Sequence, residues 1–242
     1  MSRPTLFISD LHLRPEAPRL TEILFDLLRG PAKGAAALYV LGDLFEAWPG
    51  DDDIGDPFNA PIVAAFRSLS DSGVALRFQH GNRDFLLGDA FASATGGALL
   101  PEEIVIDLHG MPTLLVHGDQ LCTDDLAYQQ FRRQVRDPGW QKTMLAQPLA
   151  ARKQLARQLR EGSDLAKAGK SLGIMDVNDD AVAAAFRRHG VQRMIHGHTH
   201  RPATHVHRVD GTDRERIVLA DWRDAGELLA VDEAGSAARR FG

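Results

Sequence analysis

Short apolar runs that end abruptly in acid, amide or imidazole recur along the chain. Residues 4–9 end at Asp10-Leu11-His12, residues 36–41 at Gly42-Asp43, and residues 74–79 at His80-Gly81-Asn82-Arg83-Asp84. Compact runs of this kind read as buried strands. Between them, residues 17–29 place Leu20, Ile23, Leu24, Leu27 and Leu28 on one helical face, and residues 61–72 do the same with Ile62, Ala65, Phe66 and Leu69. The alternation of strand and helix over the opening 85 residues predicts an α/β region with parallel strands. Its polar clusters then gather at one edge of the sheet, where open α/β sheets bind their ligands.

The second half changes character. Residues 103–108 and 112–116 flank His109-Gly110-Met111 as a hairpin, and its second strand runs into His117-Gly118-Asp119. The long basic stretch that follows has helical spacing, with Pro148 placed as a first helical residue ahead of Leu149, Lys153, Leu155 and Leu159. It predicts a helical insertion. A helix over about 178–189 precedes a strand at 193–195 that ends in His196-Gly197-His198-Thr199-His200, and further strands follow around the Asp210-Gly211 turn. There is no internal repeat and no low-complexity tract, and Asp51-Asp52-Asp53 reads as a solvated loop.

Composition narrows the class. With 242 residues, 44% hydrophobic and 25% charged, the chain reads as a soluble globular protein able to bury a large core. One cysteine, Cys122, excludes an intrachain disulfide framework and a cysteine-built zinc site, points to a reducing compartment, and reads as an inert buried thiol. The longest mostly apolar run, 34–42, is far short of the roughly 20 residues of a membrane span, and Leu6-Phe7-Ile8 is cut by Ser9-Asp10 before it can form a signal peptide. A cytoplasmic location is expected, and the chain is read as one domain, 1–242, carrying the insertion at about 123–172.

The net charge of −5 hides an asymmetry. Between Leu126 and Lys170 stand ten cations (Arg132, Arg133, Arg136, Lys142, Arg152, Lys153, Arg157, Arg160, Lys167 and Lys170) and three anions (Asp137, Glu161 and Asp164). That segment is therefore +7 and the remainder −12. A block of this kind is either a solvated helical face or a surface for anionic ligand or membrane.

Asp10, His12, Asp43, Asn82, His117, His198 and His200 are all oxygen or imidazole donors that stand just after predicted strand ends. Seven such donors exceed one tetrahedral zinc and suit two ions sharing a carboxylate, with Asp43 the expected bridge; the lack of thiolate favours Mn, Fe or Zn. Two ions roughly 3.5–4 Å apart can hold one phosphoryl group, lower the pKa of a bridging water and stabilise an in-line transition state. The predicted reaction is hydrolysis of a phosphoester or phosphoanhydride.

With Asp10-Leu11-His12, Gly42-Asp43, Gly81-Asn82-Arg83-Asp84, His117-Gly118-Asp119 and Gly197-His198-Thr199-His200, nearly the whole chain resembles the calcineurin-like metallophosphoesterases. The resemblance implies a two-sheet α/β (α+β) sandwich flanked by helices. It assigns one metal to Asp10, His12, Asp43 and His200 and the other to Asp43, Asn82, His117 and His198, with Asp43, Asn82, Arg83 and His117 as catalytic residues. One departure is informative, because most of the family has His where this chain has Arg83. A phosphate-monoester leaving group has little need of a proton donor, whereas a guanidinium forks onto phosphate oxygens, so Arg83 is expected to mark a diphosphate substrate.

The Gly-Asn-Arg-Asp motif at 81–84 and the segments 7–13, 42–48 and 196–202, together with the basic insertion, are similar to members of this family that hydrolyse UDP-2,3-diacylglucosamine to UMP and 2,3-diacylglucosamine 1-phosphate in lipid A biosynthesis. That likeness implies manganese, attack by a metal-bridging hydroxide, a peripheral place on the cytoplasmic face of the inner membrane, and substrate contacts at Asn82, Arg83, Asp125, Ser163, Lys167, Lys170 and His198. The insertion agrees, since Trp140, Met144, Leu145, Leu149 and Leu155 stand among its cations and would let a helical lid line an acyl groove. Nothing points to nucleic acid or an obligate protein partner.

Other readings stand beside these. A nucleotide diphosphatase or phosphodiesterase would share the metal residues, and a non-catalytic scaffold would share the fold. Ser163, Lys167 and Lys170 also suit a helix C-terminus, Asp125 a helix N-terminus and Tyr128 a packing role. His196 reads as a hydrogen-bonded structural histidine, and His80, His109, His189, His205 and His207 as structural or surface groups.

Overall fold

The computed structural model describes residues 3–168, 174 and 176–242, and only the backbone of residues 161 and 163–168. Strands β1 (Thr5–Ile8), β2 (Ala37–Leu41), β3 (Ala75–Gln79) and β4 (Ala98–Leu99) run parallel. A second sheet is built from β5 (Glu103–Leu108), β6 (Met111–Val116), β7 (Arg193–His196), β8 (Ala203–Val209) and β9 (Thr212–Val218), in the order β5-β6-β7-β9-β8. A C-terminal hairpin, β10 (Gly226–Asp232) and β11 (Gly235–Phe241), returns to the first sheet beside β1, giving the order β11-β10-β1-β2-β3-β4.

The layers follow from period-two alternation in the strands. In β1, Leu6 and Ile8 pack toward the helices α1 (Pro18–Arg29), α2 (Asn59–Asp71) and α3 (Asp89–Thr95), while Phe7 faces the other sheet. Leu38 and Val40 of β2, and Leu228 and Ala230 of β10, join the helical side. The second sheet repeats the scheme: Leu115 and Ile195 meet Phe7, Leu41 and Leu229 between the sheets, and Leu114, Val116 and Met194 turn outward. Of the later helices, α4 (Leu126–Arg136), α5 (Pro138–Leu145) and α6 (Leu149–Ala168) form the basic insertion, and α7 (Asp179–His189) covers that outward face with Val182 and Phe186. The result is helix, sheet, sheet, helix, with strands buried on both faces reading as continuous apolar runs.

Most elements lie within two residues of their expected bounds. Pro148 occupies the cap before α6, its carbonyl accepting from Ala151 N and Arg152 N, and Asn178 caps α7 by accepting from Ala181 N. Four elements had no forecast of their own: α3, the two-residue β4, β10, and β11, whose exposed edge offers no apolar alternation to detect.

The acidic run at 51–53 is not a solvated loop, which corrects the expectation above. Asp51 accepts from Trp48 Nε1 at 3.0 Å and from Gly88 N and Phe91 N at 2.9 Å, closing the start of α3. Asp53 is buried and pairs with Lys153 at 2.6 Å, while Asp52 pairs with Arg152. Local composition reads charge as solvation, but beyond Trp48 these carboxylates meet partners 37 to 100 residues away.

The insertion is fastened to the body through its cations. Arg152, only 4% exposed, donates to Pro49 O, to Gln147 O and to Asp52 Oδ1. Arg132 pairs with Asp119 and Glu102 at 2.9 Å, and Arg136 pairs with Glu102 at 3.2 Å and donates to Gly81 O at 2.9 Å. Much of the local charge is thus spent inward on the acidic body, and among the described residues Arg133, Lys142 and Arg157 stay exposed.

Candidate metal centre and substrate groove

Every donor of the expected set sits where a strand stops. Asp10 and His12 follow β1, Asp43 follows β2, Asn82 follows β3, His117 follows β6, and His198 and His200 follow β7. The strand ends stay in register beyond the ladders: Asp10 N donates to Gly42 O, His12 N to Asp43 O, and Gly197 N to His117 O. Five of the donors, Asp10, His12, Asp43, His198 and His200, lie at φ of 50–67°. Left-handed backbone is costly for residues with a Cβ, at about 1–2 kcal/mol each, and its concentration here turns successive side chains into one space. Among the described residues only His109 and Asp210, both in hairpin turns, share that conformation without glycine.

Two motif glycines make the convergence possible. A Cβ on Gly81 would fall 2.0 Å from Asp43 Oδ1, and one on Gly197 2.2 Å from Asp10 Oδ2. Asp84 completes the frame by accepting from Gly81 N, Asp43 N and Leu44 N.

The donors fall into two overlapping sets. Asp10, His12 and His200 each bring an atom within 4.8 Å of the others, and so do Asp10, Asp43 and His117. Asn82 Oδ1 lies 3.2 Å from His117 Nε2 and 2.9 Å from His198 Nδ1. Asp43 faces both sets, with Oδ2 3.8 Å from His12 Nε2 and Oδ1 3.8 Å from His117 Nε2.

The donor chemistry fits divalent cations. Asp10 Oδ1 is buried without a well-aligned hydrogen bond and faces His200 Nε2 at 3.3 Å. His12 Nδ1 faces Glu46 Oε2 at 3.5 Å, His200 Nδ1 faces Asp221 Oδ2 at 3.3 Å, and His117 Nδ1 donates to Leu41 O at 2.8 Å. Oxygen acceptors at these far nitrogens place the ring protons there, leaving each Nε2 lone pair directed into the centre, the usual second layer of a metal-binding histidine. His12 Nε2 and His200 Nε2 stand 3.3 Å apart, a repulsion that a shared cation relieves.

Electrostatics agree. Burial, together with Asp10 and Asp84, raises Asp43 to about 7 against the attraction of His117. At Asp10 burial acts upward too, but His200, His117 and His12 outweigh it and hold the carboxyl far below its ordinary value. Burial and neighbouring His117 push His198 down to about 3. Burial opposes charge on His117 and His200, but the carboxylates around them, Asp43 and Asp10 at the first and Asp10 and Asp221 at the second, outweigh it and raise both rings above their ordinary value. The crowded carboxylates thus draw positive charge into the pocket, the role a bound cation would take.

Beside this centre, under the insertion, lies a cavity of about 670 Å³. Asn82, Arg83, Asp125, Tyr128 and His198 stand at its polar part, and Phe85, Phe131, Trp140, Met144 and Leu155 form its apolar wall. Arg83 is largely buried, its Nε 3.6 Å from Glu46 Oε1. Asp125 caps α4 by accepting from Tyr128 N, the helix N-terminus expected of it, and it also lines the cavity. Tyr128 does more than pack: its ring stacks on His198 at 5.9 Å and its hydroxyl donates to Asp119 at 2.8 Å. Lys170 lies outside the described residues, as do the side chains of Ser163 and Lys167 near the end of α6. Glu46, Asp84 and Asp221 were not singled out from sequence; the first two stand inside quoted motifs, and Asp221 carried no signal.

Parallel-centred sheets with a mixed carboxylate, amide and imidazole set at their carboxyl edge define a phosphoesterase that works with divalent metal. The calcineurin-like phosphoesterase family matches residues 3–202, and the chain belongs to that family. It is 50% identical over 237 residues to a protein of Cellvibrio japonicus, covering 98% of each chain, and 51% identical over 238 residues to one of Stenotrophomonas maltophilia, covering 96% of each. Both relatives are named UDP-2,3-diacylglucosamine hydrolase. A dimetal phosphatase from Danio rerio, 11% identical, superposes with a TM-score of 0.50 over 99% of both chains, a likeness of fold.

Proposed function

We propose that the protein hydrolyses the diphosphate bond of UDP-2,3-diacylglucosamine, releasing UMP and 2,3-diacylglucosamine 1-phosphate. The observation that carries this reading is the joining of a phosphate-type donor cluster to an apolar cavity of about 670 Å³ in one groove, in a chain half identical to relatives of that name. A substrate with two phosphates and hydrocarbon chains needs both halves.

Asp10, His12, Asp43 and His200 would hold one divalent ion and Asp43, Asn82, His117 and His198 the other, and we assign manganese to both places. When bound, such ions activate water and withdraw charge from the phosphoryl group. Arg83 lies beside them with its guanidinium at the cavity, placed to fork onto phosphate oxygens. Water adds to one phosphorus, the P–O–P bond breaks, and the departing phosphate monoester leaves as an anion without a proton donor. Ser163, Lys167 and Lys170 would close on the sugar phosphate from the insertion, and Phe85, Trp140, Met144 and Leu155 would shelter an acyl chain. The protein would act from the cytoplasmic face of the inner membrane, resting on the lipid surface; no helix among the described residues is long and apolar enough to cross it.

Turnover of UDP-2,3-diacylglucosamine compared with UDP-glucosamine, with Mn²⁺ present and chelated, tests the proposal. At about 0.8 kcal/mol per buried methylene, sheltering even four of them favours the acylated substrate by about a hundredfold or more in kcat/KM. Equal values would leave a diphosphatase without lipid selectivity, and full activity after chelation would remove the metals from the reaction.

A further inference from the structure

Behind the second donor set lies a cation that the chemistry above does not use. Arg216, on β9, is 5% exposed. Its Nη1 donates to His196 Nε2 at 3.0 Å and its Nε to His207 Nε2 at 3.0 Å. Burying a guanidinium is expensive unless its donors are used, and here they are spent on two imidazoles, with Asp176 and Asp179 acting on it through space.

A guanidinium only donates. Both rings must therefore accept through Nε2 and, when neutral, carry their proton on Nδ1. For His196 that proton points at Gly197 O, 2.8 Å away. His207 Nδ1 faces Asp179 Oδ1 at 3.8 Å, so the chain of contacts reaches the surface.

His196 is fully buried between two turns that bear donors. Gly118, directly after His117, lies against its ring, since a Cβ there would fall 2.7 Å from His196 Nδ1. Gly197, directly before His198, supplies the carbonyl that takes its proton, and Gly197 N donates to His117 O at 2.9 Å. Next along, His198 N donates to Asp10 Oδ2 at 2.8 Å. The two turns are thus joined across this one ring.

We infer that Arg216 and His196 are positioning residues for the metal subsite of Asn82, His117 and His198: Arg216 holds His196 in its Nδ1–H form, and His196 fixes the Gly118 and Gly197 turns. The inference rests on the two-metal reading of the site and is independent of the substrate.

Calorimetric titration of the metal-free protein with Mn²⁺ tests it, alongside thermal melts. Arg216→Met should weaken one of two ions by about tenfold or more while the other stays within about threefold, the scale on which groups behind metal ligands act. His196→Asn keeps an amide donor near the place of Nδ1 and removes the acceptor for Arg216, so adding Arg216→Met to it should cost less than about twofold further. Unchanged affinities in folded Arg216→Met, equal weakening of both ions with a lowered Tm, or additive effects in the double variant would each overturn the inference. Nitrogen-15 spectra of the wild-type histidines need no variant: His196 should carry its proton on Nδ1, facing Gly197 O, and an Nε2–H form would break the first link of the inference. Uptake of fewer than two ions by the wild type would count against the two-metal reading itself, while the spectra judge the Arg216 contact separately.

Discussion

Asp10 is common to the two donor sets and Asp43 faces both of them, so replacing Asp43 separates metal binding from a merely polar surface. Oδ1 accepts from Arg83 N at 2.8 Å while Oδ2 faces His12, so Asp43→Ala removes the ligand proposed to be shared and also loosens the Asn82-Arg83 turn. Metal content should fall to one ion or fewer per chain and turnover by about 10³-fold or more, since removing a group that acts with others costs nearly the whole catalytic advantage; mass-spectrometric metal counts and rates check both. Arg83 tests the leaving-group argument. Arg83→His keeps a donor but gives up the fork, and diphosphate turnover should drop about 10²–10³-fold, the scale for losing a donor to developing charge. Intact turnover would reject the idea that this arginine marks a diphosphate substrate. The seven donors were legible because chemistry restricts them to a few residue types and strand ends restrict their places. Their left-handed backbone was not, nor were the partners Glu46, Asp221 and Arg216, because each meets its histidine through a tertiary contact with no local pattern behind it.

Among the elements, the insertion depends on a few buried cations for its seat over the centre. Arg152→Ala should leave the two-sheet body intact but strip α6 of its bonds to Pro49 O and Asp52. At about 1–3 kcal/mol for losing buried partners of this kind, the helices should lift more often, seen as faster hydrogen exchange in α4–α6 with little change in β1, β2 or β6. A KM rise for the acylated substrate exceeding that for UDP-glucosamine would accompany it, and uniform exchange across the chain would refute the separation. The same contact explains a failure of sequence reasoning. Asp51, Asp52 and Asp53 share a composition typical of exposed turns, yet their partners sit on α3 and the insertion. Strands β1, β2 and β6 were legible because burial on both faces makes them uniformly apolar, whereas β11, exposed along almost its whole length, offers no such signal.

At the scale of the whole molecule, charge sets the pH range of the fold and, on the proposed membrane reading, the approach to lipid. Burial and Arg216 hold His196 down to about 3, against about 6.5 in an unfolded chain. The unfolded state therefore takes up a proton below about pH 6.5 that the fold refuses, so this contribution is complete above that pH and is lost toward pH 3 at about 1.4 kcal/mol per unit. Urea midpoints of the metal-free protein should fall over that range, with a slope about one proton shallower in His196→Asn; identical slopes would contradict the assignment. The −5 total conceals the second effect. With Arg132, Arg136, Arg152, Lys153 and Arg160 paired to the body, the proposed attraction to anionic lipid falls, among the described residues of the insertion, to the exposed Arg133, Lys142 and Arg157, beside exposed Leu126, Leu145 and Leu159. At about 1 kcal/mol per cation near a charged surface, these three supply about a hundredfold in partitioning, within reach of salt because the Debye length shrinks from about 30 Å at 0.01 M to about 8 Å at 0.15 M. Sedimentation with phosphatidylglycerol vesicles should therefore be strong at low salt, weak at 0.15 M and weak on phosphatidylcholine, and changing all three cations to Gln should remove it while turnover of detergent-dispersed substrate persists. Binding that ignores salt and lipid charge would shift the contact from these cations to the exposed leucines.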